Sequence, residues 1–275
     1  MIRLVTPGFS LIHTLASGQL FRYEEVDDGF LVSHGSRAFV IHQEGNELVI
    51  PHATPNVTAE WLEHFFALDD APPQPVDAYS AQALAFCGGM RVCRQEPWEC
   101  LIGFLASQNN HVPRIRQIMT GLARTYGERV ALGPYTAFTF PEPGTIVSDT
   151  SLDALKAGYR AAYFVHASAT LTHEILEGIH GLAYSDAKEV LMEIPGVGPK
   201  VADCILLFAY GHRSAFPIDT HVAAIMREHY RARTTSSMQR KARTLFGENA
   251  GVMQQYLFHY RRHTLRRHPP EVSRR

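Results

Sequence analysis

The chain has 275 residues, 45% of them apolar and 19% charged, with a formal net charge of −1. These proportions are ordinary for a globular protein, and the length suffices for a sizeable core and two domains. No stretch approaches eighteen uninterrupted apolar residues, and Met1–Pro7 lacks the long apolar run of a signal peptide, so neither a membrane helix nor secretion is expected.

In chain order, residues 20–50 alternate apolar and polar positions, with strands expected around Phe30–Ser33, Ala38–His42 and Glu47–Ile50. Asp28-Gly29, His34-Gly35 and Gly45-Asn46 stand where hairpin turns belong. A short helix follows from Thr58 to Ala67, then a proline-rich joint at Ala71–Pro75, the best candidate boundary. Beyond it helices dominate, expected at 78–87, 97–109, 112–126, 134–138, 151–155, 159–177, 185–193, 199–210, 219–230, 238–247 and 250–264. The expected fold class is α+β: an antiparallel sheet domain over 1–77 and a mostly helical domain over 78–275.

Charge is segregated along the chain. Residues 1–80 carry three arginines against eleven carboxylates, a balance of −8, whereas residues 227–275 carry twelve basic residues against three acids, a balance of +9. That asymmetry suggests an acidic outer lobe and a basic segment, ending in Arg274 and Arg275, near nucleic acid. Cys87, Cys93, Cys100 and Cys204 include no C-x-x-C pair, which argues against zinc or a redox motif.

Chemistry concentrates at Leu191-Met192-Glu193-Ile194-Pro195-Gly196-Val197-Gly198-Pro199-Lys200-Val201-Ala202-Asp203-Cys204. Pro195-Gly196 makes a turn, and Pro199 is pre-set for a first helical position. Val201, Cys204, Ile205 and Phe208 then recur at helical spacing. The stretch reads as helix, glycine hairpin, helix, either a structural joint or a seat where free N–H groups at a helix N-terminus meet a DNA phosphate. Downstream, Asp219 in Phe216-Pro217-Ile218-Asp219-Thr220-His221 stands where a helix N-cap belongs.

The combination resembles the helix-hairpin-helix DNA glycosylases, and a lysine at the position of Lys200 marks their bifunctional glycosylase/AP lyase members. Four further segments are similar to the 8-oxoguanine DNA glycosylase branch: Leu15-Ala16-Ser17-Gly18-Gln19-Leu20-Phe21-Arg22, Asn109-Asn110-His111-Val112-Pro113-Arg114-Ile115, Gly158-Tyr159-Arg160, and Ala250-Gly251 through Phe258. His111 replaces the third asparagine of the family loop. The resemblance implies a TBP-like N-terminal sheet and removal of 8-oxoguanine, preferably opposite cytosine, from duplex DNA. Lys200 would be the nucleophile and Asp219 the carboxylate facing the sugar. Gly18, Cys204, Gln254 and Phe258 would enclose the lesion base. Asn109 would fill the vacated stack, Arg114 and Arg160 would read the orphaned cytosine, and Tyr159 would be the wedge. Gly196, Gly198 and His221 would meet the backbone, and the carbonyls of Met192, Ile194 and Val197 would hold a monovalent or calcium ion.

An extruded base explains a hole-filler, orphan-base readers and a stacking wall in one protein. The lysine must shed its proton to attack the sugar C1′ and form a Schiff base. A helix N-terminus contributes only about 0.3–1 kcal/mol, less than the roughly 1.36 kcal/mol of one pKa unit, so desolvation or proton transfer must supply the rest. No further cofactor is expected, and since no cysteine follows Cys204, neither is the iron–sulfur cluster of related glycosylases. The expected setting is a monomer on damaged DNA in the cytoplasm, at the nucleoid, or in a eukaryotic nucleus. Two alternatives remain: a glycosylase for another oxidised or alkylated base, and a non-catalytic hairpin module that anchors DNA.

Overall fold

A computed structural model describes residues 1–267 of the chain, with side chains through Leu265; Arg274 and Arg275 lie outside the described residues. The N-terminal part runs β1 (Ile2–Val5), α1 (Leu11–Ala16), β2 (Tyr23–Val26), β3 (Gly29–His34), β4 (Arg37–Glu44), β5 (Glu47–Ala53) and α2 (Ala59–Phe65). The strands form one antiparallel sheet in the order β1-β5-β4-β3-β2. Gly45-Asn46 connects β4 to β5 as expected, whereas the other two turns sit one residue away, at Asp27-Asp28 and Gly35-Ser36. Gly29 belongs to the ladder instead of the turn: at φ +121° it passes so close to β4 that a Cβ would lie 2.5 Å from the Ile41 carbonyl.

Alternation gives this sheet two buried faces. Val32, Phe39, Ile41, Leu48 and Ile50 pack against Leu11 and Leu15 of α1 and Leu62, Phe65 and Phe66 at α2. Leu31, Ala38 and Val40 point the other way, onto Leu132 and Ala137. That second cover follows α3 (Ala78–Phe86), α4 (Pro97–Ser107) and α5 (Val112–Tyr126), as a hairpin of β6 (Arg129–Leu132) and β7 (Tyr135–Phe138). The helix expected over 134–138 is therefore a strand. Gly133 at φ +58° and Pro134 form the turn, and a period of two buries Leu132 and Ala137 against the sheet.

The rest of the described chain is helical: α6 (Thr150–Ala154), α7 (Arg160–Thr170), α8 (His173–Glu177), α9 (Tyr184–Met192), α10 (Pro199–Phe208), α11 (Thr220–Glu228), α12 (Thr235–Phe246), a 3-10 turn (Gly247–Asn249) and α13 (Ala250–Arg267). The single helix expected over 159–177 is two. Leu171 turns extended, and the Thr172 hydroxyl accepts the Ile175 N–H to begin α8.

Two buried polar contacts fix how these parts meet. The Arg22 guanidinium, next to β2, grips Glu99 of α4 at 2.7 and 2.9 Å and donates to the Phe138 carbonyl of β7 at 2.8 Å. Glu99 also accepts the Gly35 N–H at 2.6 Å, so one carboxylate joins sheet and helices. Asp203 of α10, 1% exposed, accepts from Lys188 Nζ and the Tyr184 hydroxyl of α9, both at 2.6 Å. This ties together the two helices flanking the hairpin. No described helix is long and apolar enough to cross a membrane.

Candidate active site

The hairpin between α9 and α10 is tight because the Ile194 carbonyl accepts the Val197 N–H at 2.9 Å and Gly196 adopts φ +90°. A Cβ at Gly196 would lie 2.6 Å from the Tyr163 ring, so glycine is required by both conformation and space. Gly198 is the N-cap of α10 with no side-chain capping bond, and Pro199 is its first residue. The first-turn amides therefore point outward at the positive end of a ten-residue helix.

Lys200, half-buried in that first turn, holds its Nζ 3.5 Å from Ser107 Oγ and 5.4 Å from the centre of the Phe104 ring. Phe104 stacks at 5.3 Å on Phe208 of α10, so the lysine lies along a partly apolar wall. Cys204, one turn further along α10, is buried. Burial pushes its thiol up to about 11 although Lys200 acts in the opposite direction. It stays a neutral wall residue. Asp219 starts α11, its carboxylate accepting the Val222 N–H at 2.7 Å. Lys200 and Asp219 both act electrostatically on Cys204, which places all three in one neighbourhood.

The segment that follows α1, residues 17–21, is a pinned loop. The buried Gln19 carboxamide donates to the Thr14 and Arg91 carbonyls at 3.2 and 2.8 Å and accepts the Cys93 N–H at 2.7 Å. Gln255 of α13 donates to the Ser17 carbonyl at 3.1 Å. Gly18, at φ +90°, is thereby held against α13, where a Cβ would lie 3.5 Å from Phe258 Cε1. Phe258 is half-buried, and His221 of α11 packs edge-on at 5.8 Å. Gln254, one turn before Phe258, is 5% exposed, and its Oε1 is buried with no hydrogen-bond partner. A buried acceptor without a partner costs on the order of 1–3 kcal/mol.

Just beyond α4, Asn109 is exposed at φ +46°, with its amide donating to the Tyr159 hydroxyl at 3.2 Å. His111 caps α5 by accepting the Arg114 N–H at 3.3 Å, so the departure from asparagine leaves the helix capped. Arg114 donates to the Leu155 and Lys156 carbonyls at 2.7 and 2.9 Å. Arg160 donates to the Gln108 carbonyl at 2.8 Å and to the Asn109 carbonyl at 3.1 Å, beneath the half-exposed Tyr159 ring. Both arginines hold loop backbone here.

Sequence reasoning missed Phe104, Ser107, Phe208, Tyr163 and Arg262 around these groups. Arg262 was detectable: it continues the spacing of Gln254 and Phe258 on α13, and its guanidinium lies 5.2 Å from the Phe258 ring.

The sequence model of the 8-oxoguanine DNA glycosylase N-terminal domain matches residues 1–101. A protein of Methanothermobacter thermautotrophicus, described as a probable N-glycosylase/DNA lyase, is 35% identical over 192 residues, 61% of this chain and 62% of that protein. The chain thus spans about three fifths of that curated relative's length. Among solved structures, MBOgg1 in complex with a low-affinity DNA ligand has a TM-score of 0.81 at 30% identity, covering 93% of each chain. Clostridium acetobutylicum 8-oxoguanine glycosylase/lyase, bound to double-stranded DNA with cytosine opposite 8-oxoG, has a TM-score of 0.81 at 27% identity over 93% of this chain and 92% of that one. Sheet lobe, helical domain and lysine-bearing hairpin define a helix-hairpin-helix DNA glycosylase scaffold. Within that class, the chain belongs to the 8-oxoguanine DNA glycosylase family.

Proposed function

We propose that the protein is a bifunctional DNA glycosylase/AP lyase that removes 8-oxoguanine from duplex DNA. The observation that carries this reading is the buried, partnerless Gln254 Oε1 on the same helical face as Phe258, opposite the backbone of Gly18. An amide for a base edge, a ring for its face and a backbone carbonyl for N7–H are what an extruded 8-oxoguanine needs. Guanine has a bare N7 acceptor there, which a carbonyl repels.

In this reading Lys200 attacks C1′, the C1′–N9 bond breaks, and the base leaves with the electron pair. Opening of the C1′–O4′ ring bond then gives the Schiff base, and loss of a C2′ proton drives β-elimination, which breaks the C3′–O bond. Phe104, Phe208 and Cys204 withdraw the amine from water, while Asp219 stabilises positive charge developing on the sugar. The backbone of Gly196 and Gly198 and the uncapped first-turn amides of α10, with His221, receive phosphate. Asn109 and Tyr159 occupy the vacated stack; Arg114 and Arg160, whose guanidinium groups order the adjoining loops, face the cytosine. The protein acts as a monomer on damaged double-stranded DNA, in the cytoplasm at the nucleoid or in a eukaryotic nucleus.

The deciding experiment is borohydride trapping on an 8-oxoguanine:cytosine duplex, with Lys200→Gln and undamaged DNA as controls. The expected result is a covalent adduct only with lesion DNA and intact Lys200. An adduct with abasic but not lesion DNA would retain the lyase and assign the pocket to another base. DNA binding with neither adduct would leave an anchoring module. Cytosine preference requires slower processing of lesions opposite guanine, adenine and thymine.

A hairpin cation belongs to the same proposal. The Ile194 carbonyl accepts the Val197 N–H yet keeps a second lone pair, and with the Met192 and Val197 carbonyls it offers the hard oxygen ligands that monovalent ions or calcium take. Replacing potassium by tetramethylammonium at constant ionic strength would weaken DNA binding if the ion is used; unchanged affinity, with calcium also without effect, would remove it.

A further inference from the structure

The pocket face of α13 has a third member. Gln254, Phe258 and Arg262 are spaced i, i+4 and i+8, so they follow one face of the helix. The Arg262 guanidinium lies 5.2 Å from the centre of the Phe258 ring and donates to the Ser17 carbonyl at 3.3 Å. It approaches Gly18 so closely that a Cβ there would stand 2.7 Å from Arg262 Nη1. It also lines a cleft of about 580 Å³, bounded by Ala16, Tyr23, Val112, Pro113 and Arg116, which opens beside this wall. A purine stacked on Phe258 with its five-membered-ring edge toward Gly18 must meet this guanidinium.

We propose that Arg262 is a specificity-determining residue that donates a hydrogen bond to the C8 oxygen of the flipped 8-oxoguanine. This rests on the function proposed above. The lesion presents N7–H and C8=O side by side, a donor next to an acceptor. The Gly18 carbonyl and an Arg262 N–H offer the reverse order at adjacent points, so two groups read the two features that oxidation adds. Undamaged guanine presents a bare N7 and a C8–H, and matches neither. A guanidinium has five N–H donors in a planar fork, which suits it to more than one acceptor at once. Its charge makes a bond to a carbonyl oxygen stronger than a neutral donor would.

The test compares wild type with Arg262→Leu and Arg262→Lys on duplexes containing 2′-fluoro-8-oxoguanosine, 2′-fluoroguanosine or a tetrahydrofuran abasic analogue. The fluoro nucleotides resist base loss, so equilibrium affinity can be read. Arg262→Leu is expected to shrink the 8-oxoguanine-over-guanine preference about 10- to 100-fold, with abasic-duplex affinity retained. Arg262→Lys, which keeps the charge and a donor, is expected to recover part of the preference and covers the case in which the leucine variant misfolds. Equal losses on lesion and abasic DNA would make Arg262 a backbone contact and overturn the proposal. An unchanged preference, or tighter lesion binding once the guanidinium is gone, would overturn it too. Wild type with no preference for the lesion would instead refute the proposed substrate, which separates the two failures.

Discussion

At the scale of single residues, Gly18 shows how little space the pocket leaves. Its φ of +90° disfavours any side chain, and a methyl group would meet Arg262 at 2.7 Å and Phe258 at 3.5 Å. Gly18→Ala should destabilise the loop by about 1–3 kcal/mol of backbone strain. Lesion excision should fall further than this, because the carbonyl proposed to face the base would move. Single-turnover kinetics and thermal unfolding on the same variant check the pair; full excision activity with normal stability would refute the close approach. The glycine itself was legible in the sequence through the Leu15–Phe21 resemblance. What holds it was not, because the Gln19, Gln255 and Arg262 contacts join positions 72 to 245 residues apart. Likewise, the spacing around Asp219 indicated a cap, and the structure has that cap, but it could not place the carboxylate near Cys204 and Lys200.

At the scale of elements, the hairpin depends on the rigidity of its two helices. Asp203 is buried, and burial raises its carboxyl pKa while Lys188 and Tyr184 act to lower it. Burying this charge is unfavourable in itself, and Lys188 offsets that cost. Lys188→Met should therefore destabilise the protein by about 3 kcal/mol or more, since removing one partner strands the other. Lys188→Met combined with Asp203→Asn should recover part of the loss. Thermal unfolding of the two variants decides; equal stability for single and double variants would show that the bridge is not holding the helices. The helices were legible wherever a 3.6-residue apolar period coincided with a cap or proline, as in α5, whose bounds were read correctly. The 134–138 segment was misread because five residues cannot distinguish the two periods. What makes it a strand is the sheet face beneath, supplied by Leu31, Ala38 and Val40 from another part of the chain.

At the scale of the whole molecule, the sheet lobe and helical domain are joined through Glu99. Burial alone would raise its carboxyl pKa, but the Arg22 guanidinium, His34 and the Gly35 N–H together hold it below the usual carboxylate range. A carboxyl with a depressed folded-state pKa stabilises the fold fully above its unfolded value of about 4.3, and loses that contribution as pH falls through the folded value. Stability should therefore decline below about pH 4.3, and Glu99→Gln should flatten that decline while destabilising the protein at neutral pH by leaving Arg22 buried without its counter-charge. Charge segregation bears on DNA at the same scale. The net charge of −1 would predict weak, salt-insensitive association if charge were spread evenly. Instead the carboxylates concentrate in the sheet lobe, and Arg227, Arg231, Arg233, Arg240, Lys241 and Arg243 are exposed on and between α11 and α12. Each phosphate neutralised on binding releases counterions and contributes about −0.9 to the slope of log K against log salt concentration. A protein that neutralises three or more phosphates should thus show a slope of roughly −3 or steeper on undamaged duplex. Anisotropy titrations across a salt series measure it directly. A slope near zero would mean that the basic segment faces away from the nucleic acid, and that binding rests on the hairpin and the extruded base alone.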